Sequence, residues 1–250
     1  MKVARNIIHL NEVNSTNQYL EELITTHPDT PEHTIINTDN QTLGKGQGEN
    51  KWHSSPSQNL SFSYLLRPEF LKPSHQFRLN IMVSLAIVNF LSKYYPQRAK
   101  IKIKWPNDIY IGDKKIAGIL IRLFVQNQKI ENAILGIGIN INEKSFPEEL
   151  PNPVSLSQET KIDYDLSIML EQVSFFVHKG YQELQDSHWK SLKESYLNSL
   201  YRYNLFSKYI YKEETIIAKI TDITRYGQLQ LTLQNEKEII CNMQEIKYLL

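Results

Sequence analysis

The chain has 250 residues, 41% of them hydrophobic and 22% charged, with 28 basic against 27 acidic side chains and a formal net charge of +1. That suits a soluble globular protein with one large unit, or a large and a small one, and it supplies no global field that would draw in nucleic acid. The single Cys241 excludes a disulfide framework and a cysteine-rich zinc site and fits a reducing cytoplasm; no stretch reaches the roughly 18 apolar residues of a membrane span, and the start lacks a signal-peptide run.

Residues 6 to 13 read as a short strand ending in Asn14-Ser15-Thr16-Asn17-Gln18. Ser15 or Thr16 is placed to cap a helix whose apolar face is Tyr19, Leu20, Leu23 and Ile24. At such a bend the hydroxyls and Asn17 can cap the helix, face a ligand, or do both. His33 to Thr38 is a second strand, and it runs through Gln41 into the loop Gly44-Lys45-Gly46-Gln47-Gly48-Glu49-Asn50-Lys51-Trp52. Three glycines so close together suit neither helix nor strand interior. Their bare backbone amides can approach an anion. The loop is not a Walker loop, because no Gly-Lys-Ser/Thr follows, nor a dinucleotide fingerprint, because no helix opens after it. A plain surface loop remains the alternative, and Trp52 can serve as a core anchor or as an aromatic face for a purine.

Leu60 to Leu66 alternates enough for a strand. From Leu79 to Tyr94 apolar residues recur at three- and four-residue spacing, which predicts a helix over 76–95 with one buried face. The stretch Lys104-Trp-Pro-Asn-Asp108 then ends a strand, since Pro106 cannot donate a ladder hydrogen bond. After a bend and the Gly112-Asp113 turn, Lys115 opens the next strand, interrupted at Gly118 and Arg122. Two lysines, an amide (Asn107) and a carboxylate (Asp108) thus reach neighbouring strand ends. A phosphorylated anion and its magnesium need such a set, although each residue taken singly also reads as a solvated strand end or turn. Ile130 to Asn142 is a further strand, in which Gly136, Gly138, Asn140 and Asn142 share one face that suits close packing or a ligand.

Beyond residue 143 prolines mark an irregular connection, followed by helices over 166–184 and 189–200. From about 205 only short strands appear, at 215–220, 228–233, 237–241 and 246–250. They suggest a small barrel-like appendage leaning on the larger unit.

Together these segments resemble the bacterial biotin–protein ligases. The elements that carry the resemblance are Asn14 to Gln18, Gln41 with the loop to Trp52, the KWPND run at 104–108 with Lys115-Ile-Ala-Gly-Ile-Leu, and Gly136-Ile-Gly-Ile-Asn140. The resemblance covers about 13–143 and, more loosely, the end of the chain. It implies an α+β fold: a mixed sheet packed by helices on one side, residues 1–200, followed by a small SH3-like β-barrel domain, residues 201–250. It implies the joining of biotin to ATP as biotinyl-5′-adenylate, with magnesium, and transfer of biotin to a lysine of a biotin carboxyl carrier protein. Biotin would be held by Ser15, Thr16, Asn17, Gln41, Gly44, Lys45, Lys115 and Gly118, and the adenylate by Gln47, Trp52, Lys104, Asn107 and Asn140. Lys115, Lys45 and Asp108 would be catalytic, with Asp108 as the magnesium ligand. The protein would be cytoplasmic, without nucleic acid or membrane partners; dimerisation through a sheet edge, common in the family, is left open.

Two departures stand out. Many relatives carry Arg-Gly-Arg in the loop where this chain has Lys45-Gly46-Gln47, with Glu49 adding a negative charge. Lysine lacks the bidentate fork of arginine, so looser retention of the adenylate is expected. The Ser-Thr-Asn element also lies too near residue 1 for the DNA-binding domain found in relatives that double as repressors. The competing readings are a lipoate ligase or octanoyltransferase on the same scaffold, a non-catalytic biotin or nucleotide sensor, and an RNA-binding protein with a small barrel.

Overall fold

The computed structural model describes residues 6–48, 50–186 and 188–249. Glu49, the first five residues and the final Leu250 of the last expected strand lie outside the described residues. In chain order the elements are β1 (Ile7–Val13), α1 (Thr16–Thr26), β2 (Ile35–Gln41), β3 (Leu60–Leu66), α2 (Phe77–Tyr94), β4 (Ile101–Lys104), β5 (Asp108–Ile111), β6 (Lys114–Gln126) and β7 (Lys129–Ile139). They continue as α3 (Leu156–Thr160), α4 (Leu166–Gln185), α5 (Trp189–Ser199), β8 (Ser207–Tyr211), β9 (Glu214–Ile223), β10 (Leu229–Leu233), β11 (Glu238–Cys241) and β12 (Ile246–Tyr248).

The first seven strands form one sheet in the order β1-β2-β3-β7-β6-β5-β4. β1 and β2 run parallel while the other neighbours run antiparallel, so the sheet is mixed. Period-two alternation sorts its central strands onto two faces. Leu60, Phe62 and Tyr64 of β3, with Leu135 and Ile137 of β7, join α2, α4 and α5 in the main core. Leu65 and Ile134 point the other way and pack with Leu20 and Ile24 of α1. Helices therefore cover both faces, not one as the sequence suggested. α1 is short and shields only part of its face. Where it ends, the same face continues as Ser63 and Ser61 on β3 and Gly136 and Gly138 on β7, with Ser63 opposite Gly136 and Ser61 opposite Gly138 in the ladder. Small side chains there leave room above the sheet.

β8 to β12 form a second, antiparallel sheet in the order β11-β10-β9-β8-β12. This antiparallel sheet is consistent with the expected SH3-like unit, and among the described residues no ladder joins its end strands β11 and β12. It is tied to the first sheet by Trp105, whose indole N–H donates to Gly227 O at 2.9 Å, and by Tyr201, whose backbone N–H donates to Ile103 O at 2.8 Å. Apolar residues of both sheets belong to one continuous core. Among the described residues no helix is long and apolar enough to cross a membrane.

Candidate active site

The uncovered part of the α1 face is the floor of a cavity of about 500 Å³. Gly136 and Gly138 are small because neighbours occupy the space a side chain would take. A Cβ on Gly136 would lie 2.5 Å from the Asn17 amide, and one on Gly138 would lie 2.3 Å from the Trp52 indole. The loop has therefore folded its tryptophan onto the glycine floor, where the indole also passes 3.2 Å from the Cβ position of Gly118.

One end of the cavity is built at the start of α1. Ser15 occupies the N-cap position but makes no capping bond. The first helical N–H, that of Thr16, donates instead to Gln41 Oε1 at 3.0 Å, from the end of β2. Relieved of capping, the buried Ser15 hydroxyl lines the cavity beside Thr16 and Asn17. Asn17 Nδ2 donates to Leu120 O at 3.1 Å, which locks its amide against Gly136.

The other end is charged. Lys115 Nζ lies 2.7 Å from Asp108 Oδ1, and the ammonium also faces the Trp52 ring at 5.9 Å from its centroid. Asp108 and Lys115 come together because β5 pairs antiparallel with β6. Lys104 Nζ donates to the Tyr110 hydroxyl at 3.0 Å and stands over the rings of Tyr110 and Tyr248. Burial lowers the Lys104 pKa below the ordinary lysine value; nearby Asp108 opposes that shift and Arg202 reinforces it. Burial, helped by the Asp108 charge, raises the Tyr110 pKa, so the phenol that accepts from Lys104 stays neutral.

The glycine-rich loop forms the lid. Gly46 N–H donates to Asn50 O at 2.7 Å, and Trp52 N–H donates to Gly44 O at 2.9 Å. At its tip Gln47 Nε2 reaches Met243 Sδ, in the turn between β11 and β12, at 2.8 Å. The loop is thus tied down at both ends.

The cavity gathers Ser15, Thr16, Asn17, Gln41, Lys45, Gln47, Trp52, Lys104, Asn107, Asp108, Lys115, Gly118 and Asn140 from across the sequence. Gly44 does not line it: a Cβ there would fall 2.5 Å from Trp52 O and 2.8 Å from Gln41 Nε2, so this glycine lets the loop pack against β2. Asn142 is the other correction. β7 stops at Ile139, and Asn142 turns away to bond both the N–H and the carbonyl of Tyr164, at 3.0 and 2.8 Å. Asn107 lines the cavity but its Nδ2 is spent on Ile119 O at 2.5 Å, stitching the Pro106 bend to β6. Asn140 gives its Nδ2 to Val154 O, which leaves Oδ1 buried and unbonded, as is the Trp52 indole N–H. Ser61 Oγ, on the same lining, is a third such atom; buried polar atoms without partners are uncommon, and three in one cavity mark where a ligand completes the bonding. Phe146, Glu149, Leu150 and Pro151 form a wall that sequence reading passed over as an irregular connection. Among the described residues Asp108 and Glu149 are the carboxylates that line the cavity, Asp108 being the one paired with Lys115, and no cluster of histidine, cysteine, aspartate and glutamate is arranged to hold an ion by itself.

Comparison with known proteins shows the family and the fold. The model of the biotin/lipoate A/B protein ligase family matches residues 10–140, just over half of the chain. The chain belongs to that family. Among its relatives is the bifunctional ligase/repressor BirA of Bacillus subtilis, 30% identical over 201 residues that cover 78% of this chain and 60% of the relative. The biotin--[acetyl-CoA-carboxylase] ligase of Paracoccus denitrificans is 29% identical over 101 residues, 40% of this chain and 41% of that one. This chain thus spans about 60% of the length of the Bacillus BirA relatives it matches. Among solved structures it is similar to the biotin protein ligase of Aquifex aeolicus in complex with biotin and ATP, with a TM-score of 0.80, 26% identity, and coverage of 98% of this chain and 100% of that one. The fold is accordingly that of the family's biotin protein ligases, a mixed sheet packed by helices with an antiparallel sheet at the C-terminal end.

Proposed function

We propose that the protein is a biotin–protein ligase: it condenses biotin with ATP to biotinyl-5′-adenylate and pyrophosphate, then passes the biotinyl group to a lysine of a biotin carrier protein. The observation that carries this reading is the cavity's polarity. A neutral, hydrogen-bonding end and a cationic end are separated by an indole, in a family whose member from Aquifex binds both biotin and ATP.

In the first half-reaction a carboxylate oxygen of biotin attacks the α-phosphorus of ATP, and the bond to the β-phosphate oxygen breaks. Ser15, Thr16, Asn17 and Gln41 hold the ureido ring, whose two N–H donors and one carbonyl complement hydroxyls and an amide. Lys115 sits where the carboxylate meets the phosphate; on substrate binding its ammonium exchanges Asp108 for the charge that builds on the phosphoryl oxygens, a contribution that counts most in a water-poor site. Lys104, fixed by Tyr110, serves the phosphates, and Lys45 on the lid adds a cation at the rim. Asn140 Oδ1 and the Trp52 N–H, both without a partner, are available to the adenylate. In the second half-reaction the neutral amine of the carrier lysine attacks the biotinyl carbonyl, AMP leaves, and the amine loses a proton. A closed lid excludes the water that would hydrolyse the mixed anhydride.

Magnesium takes one or two carboxylates alongside substrate phosphates and keeps several waters, so a single aspartate at the phosphate end fits it. Asp108 would hold it, and the ion would neutralise charge on the departing pyrophosphate. We place the boundary between the catalytic unit and the small C-terminal unit near residue 200, after α5.

The test is exchange of labelled pyrophosphate into ATP. Exchange that depends on biotin is expected. No exchange with biotin, or exchange with lipoate alone, would sink the reading in favour of a sensor or a lipoate enzyme.

A further inference from the structure

At Lys115 the large sheet loses its regular support on both sides. β7 pairs with β6 only as far as Ala117 opposite Ile139, with one further bond from Asn140 N–H to Ile116 O at 2.9 Å. The ladder with β5 shifts register at the same place, Tyr110 standing opposite Lys115 and Ile109 opposite Ala117. Such irregularities re-aim a side chain and locally disrupt the ladder. The gap left by β7 is filled by chain that returns from the cavity wall. Lys115 N–H donates to Asn152 O at 2.8 Å and Val154 N–H donates to Lys115 O at 2.9 Å, a parallel bridge centred on Pro153. In that pattern the N–H position of the bridging residue faces away, so a proline forfeits no bond. We propose that Asn152 is a positioning residue which holds the backbone of Lys115 and thereby aims its ammonium at the reacting centre. The inference rests on the ligase reading and deepens it.

The residue suits that task. Its φ of 45° lies in the left-handed region, where asparagine is among the few side chains tolerated. Its Nδ2 donates to Asp113 O, two residues before Lys115, so Asn152 grips the start of β6 by main chain and side chain together. Asp113 is fastened from another direction by Tyr201, whose hydroxyl donates to Oδ1 at 2.6 Å. Beyond the bridge, Val154 O accepts from Asn140 Nδ2 and Leu156 N–H donates to Asn140 O, so the returning chain is also stitched to β7. Asn152 thus stands where the wall rejoins the sheet and where the lysine is rooted. The ammonium changes partners at the end of a long flexible side chain, and that reach is accurate only if the root stays still. A misplacement of about 1 Å at a reacting centre can cost about a hundredfold in rate.

The experiment measures biotin-dependent pyrophosphate exchange in Asn152→Gly, which keeps the left-handed backbone and removes the side-chain bond. Its kcat should fall about tenfold while the KM values for biotin and ATP stay within about twofold, the pattern of an interaction that matters in the transition state. Asn152→Ala adds strain at a positive φ and should fall further, by about a hundredfold; the glycine variant carries the test if the alanine variant folds poorly. The decisive control is the Lys115→Ala background. There Asn152→Gly should change the residual rate by less than about twofold, because no ammonium is left to aim. An unchanged kcat in Asn152→Gly would overturn the proposal. So would an equal fall with and without Lys115, which is what loosening of the wall alone gives, or a rise in KM at constant kcat, which marks a ligand contact. A wild-type chain without biotin-dependent exchange would instead sink the ligase reading.

Discussion

The two ends of the cavity solve different problems with different materials. At the α1 end Ser15, Thr16, Asn17 and Ser63 are buried and uncharged, and apart from Ser15 each polar group is fixed by a short chain of hydrogen bonds. At the far end Lys115 and Asp108 are charged, partly open to solvent, and paired with each other instead of with the frame of the protein. Buried dipoles with fixed partners recognise shape and proton pattern and cannot move without leaving a group unsatisfied. A half-open ion pair costs little to break and can follow charge as it shifts. On the proposed function, recognition is rigid and chemistry is mobile, side by side on one sheet.

The comparison can be broken most forcefully at Lys115. Lys115→Ala should lower pyrophosphate exchange by about 10²–10³ or more while leaving Tm near that of the wild type, because the removed pair is half exposed. Near-normal exchange would mean that this end is not where bonds are made. The rigid end is probed by Gly136→Ala, whose methyl group would collide with the Asn17 amide. We expect the KM for biotin to rise about tenfold or more, with the KM for ATP little changed, since losing hydrogen bonds to a buried ligand costs about 1–3 kcal/mol. A proportional loss for both substrates would show that the two ends are not independent.

A milder test uses pH. Burial lowers the pKa of Lys104, so it loses its charge below the ordinary value of 10.5 as pH rises. Activity that depends on its cation should therefore decline on the alkaline side before an exposed lysine would titrate. Lys104→Arg, which keeps its charge throughout, should move that decline to higher pH; an unmoved profile would detach Lys104 from the limb. Smallest in its catalytic effect is Asn142→Ala. It should cost about 1–2 kcal/mol of stability through the lost bonds to Tyr164 and leave both KM values alone.

Much of this was legible in the letters. Segments rich in Gly, Asn, Lys and Ser at strand ends announced themselves because such residues suit neither core nor regular ladder, and Lys115, Trp52 and Ser15 do share one cavity. What escaped notice depended on neighbours distant in sequence. Ser61 and Ser63 looked like ordinary alternation in a strand; only the pairing of β3 with β7 shows that they lie opposite the glycines. β5 has four residues, too few for a period to register, and its ladder with β6 is what sets Asp108 beside Lys115. Asn142 shares the parity of Asn140, yet the strand ends at Ile139 and parity loses its meaning there. Ser15 carries the signature of a helix cap, but Gln41, far along the chain at the end of β2, does that work by accepting from the Thr16 N–H.

The resting partnership of Lys115 with Asp108 has a consequence for selectivity against small solutes. An ammonium already matched to a carboxylate is a poor trap for stray inorganic phosphate or chloride, which would have to displace a tethered anion at high local concentration. A nucleotide brings enough further contacts to win that exchange. On the proposed function, inorganic phosphate and chloride are therefore expected to compete only weakly with the nucleotide.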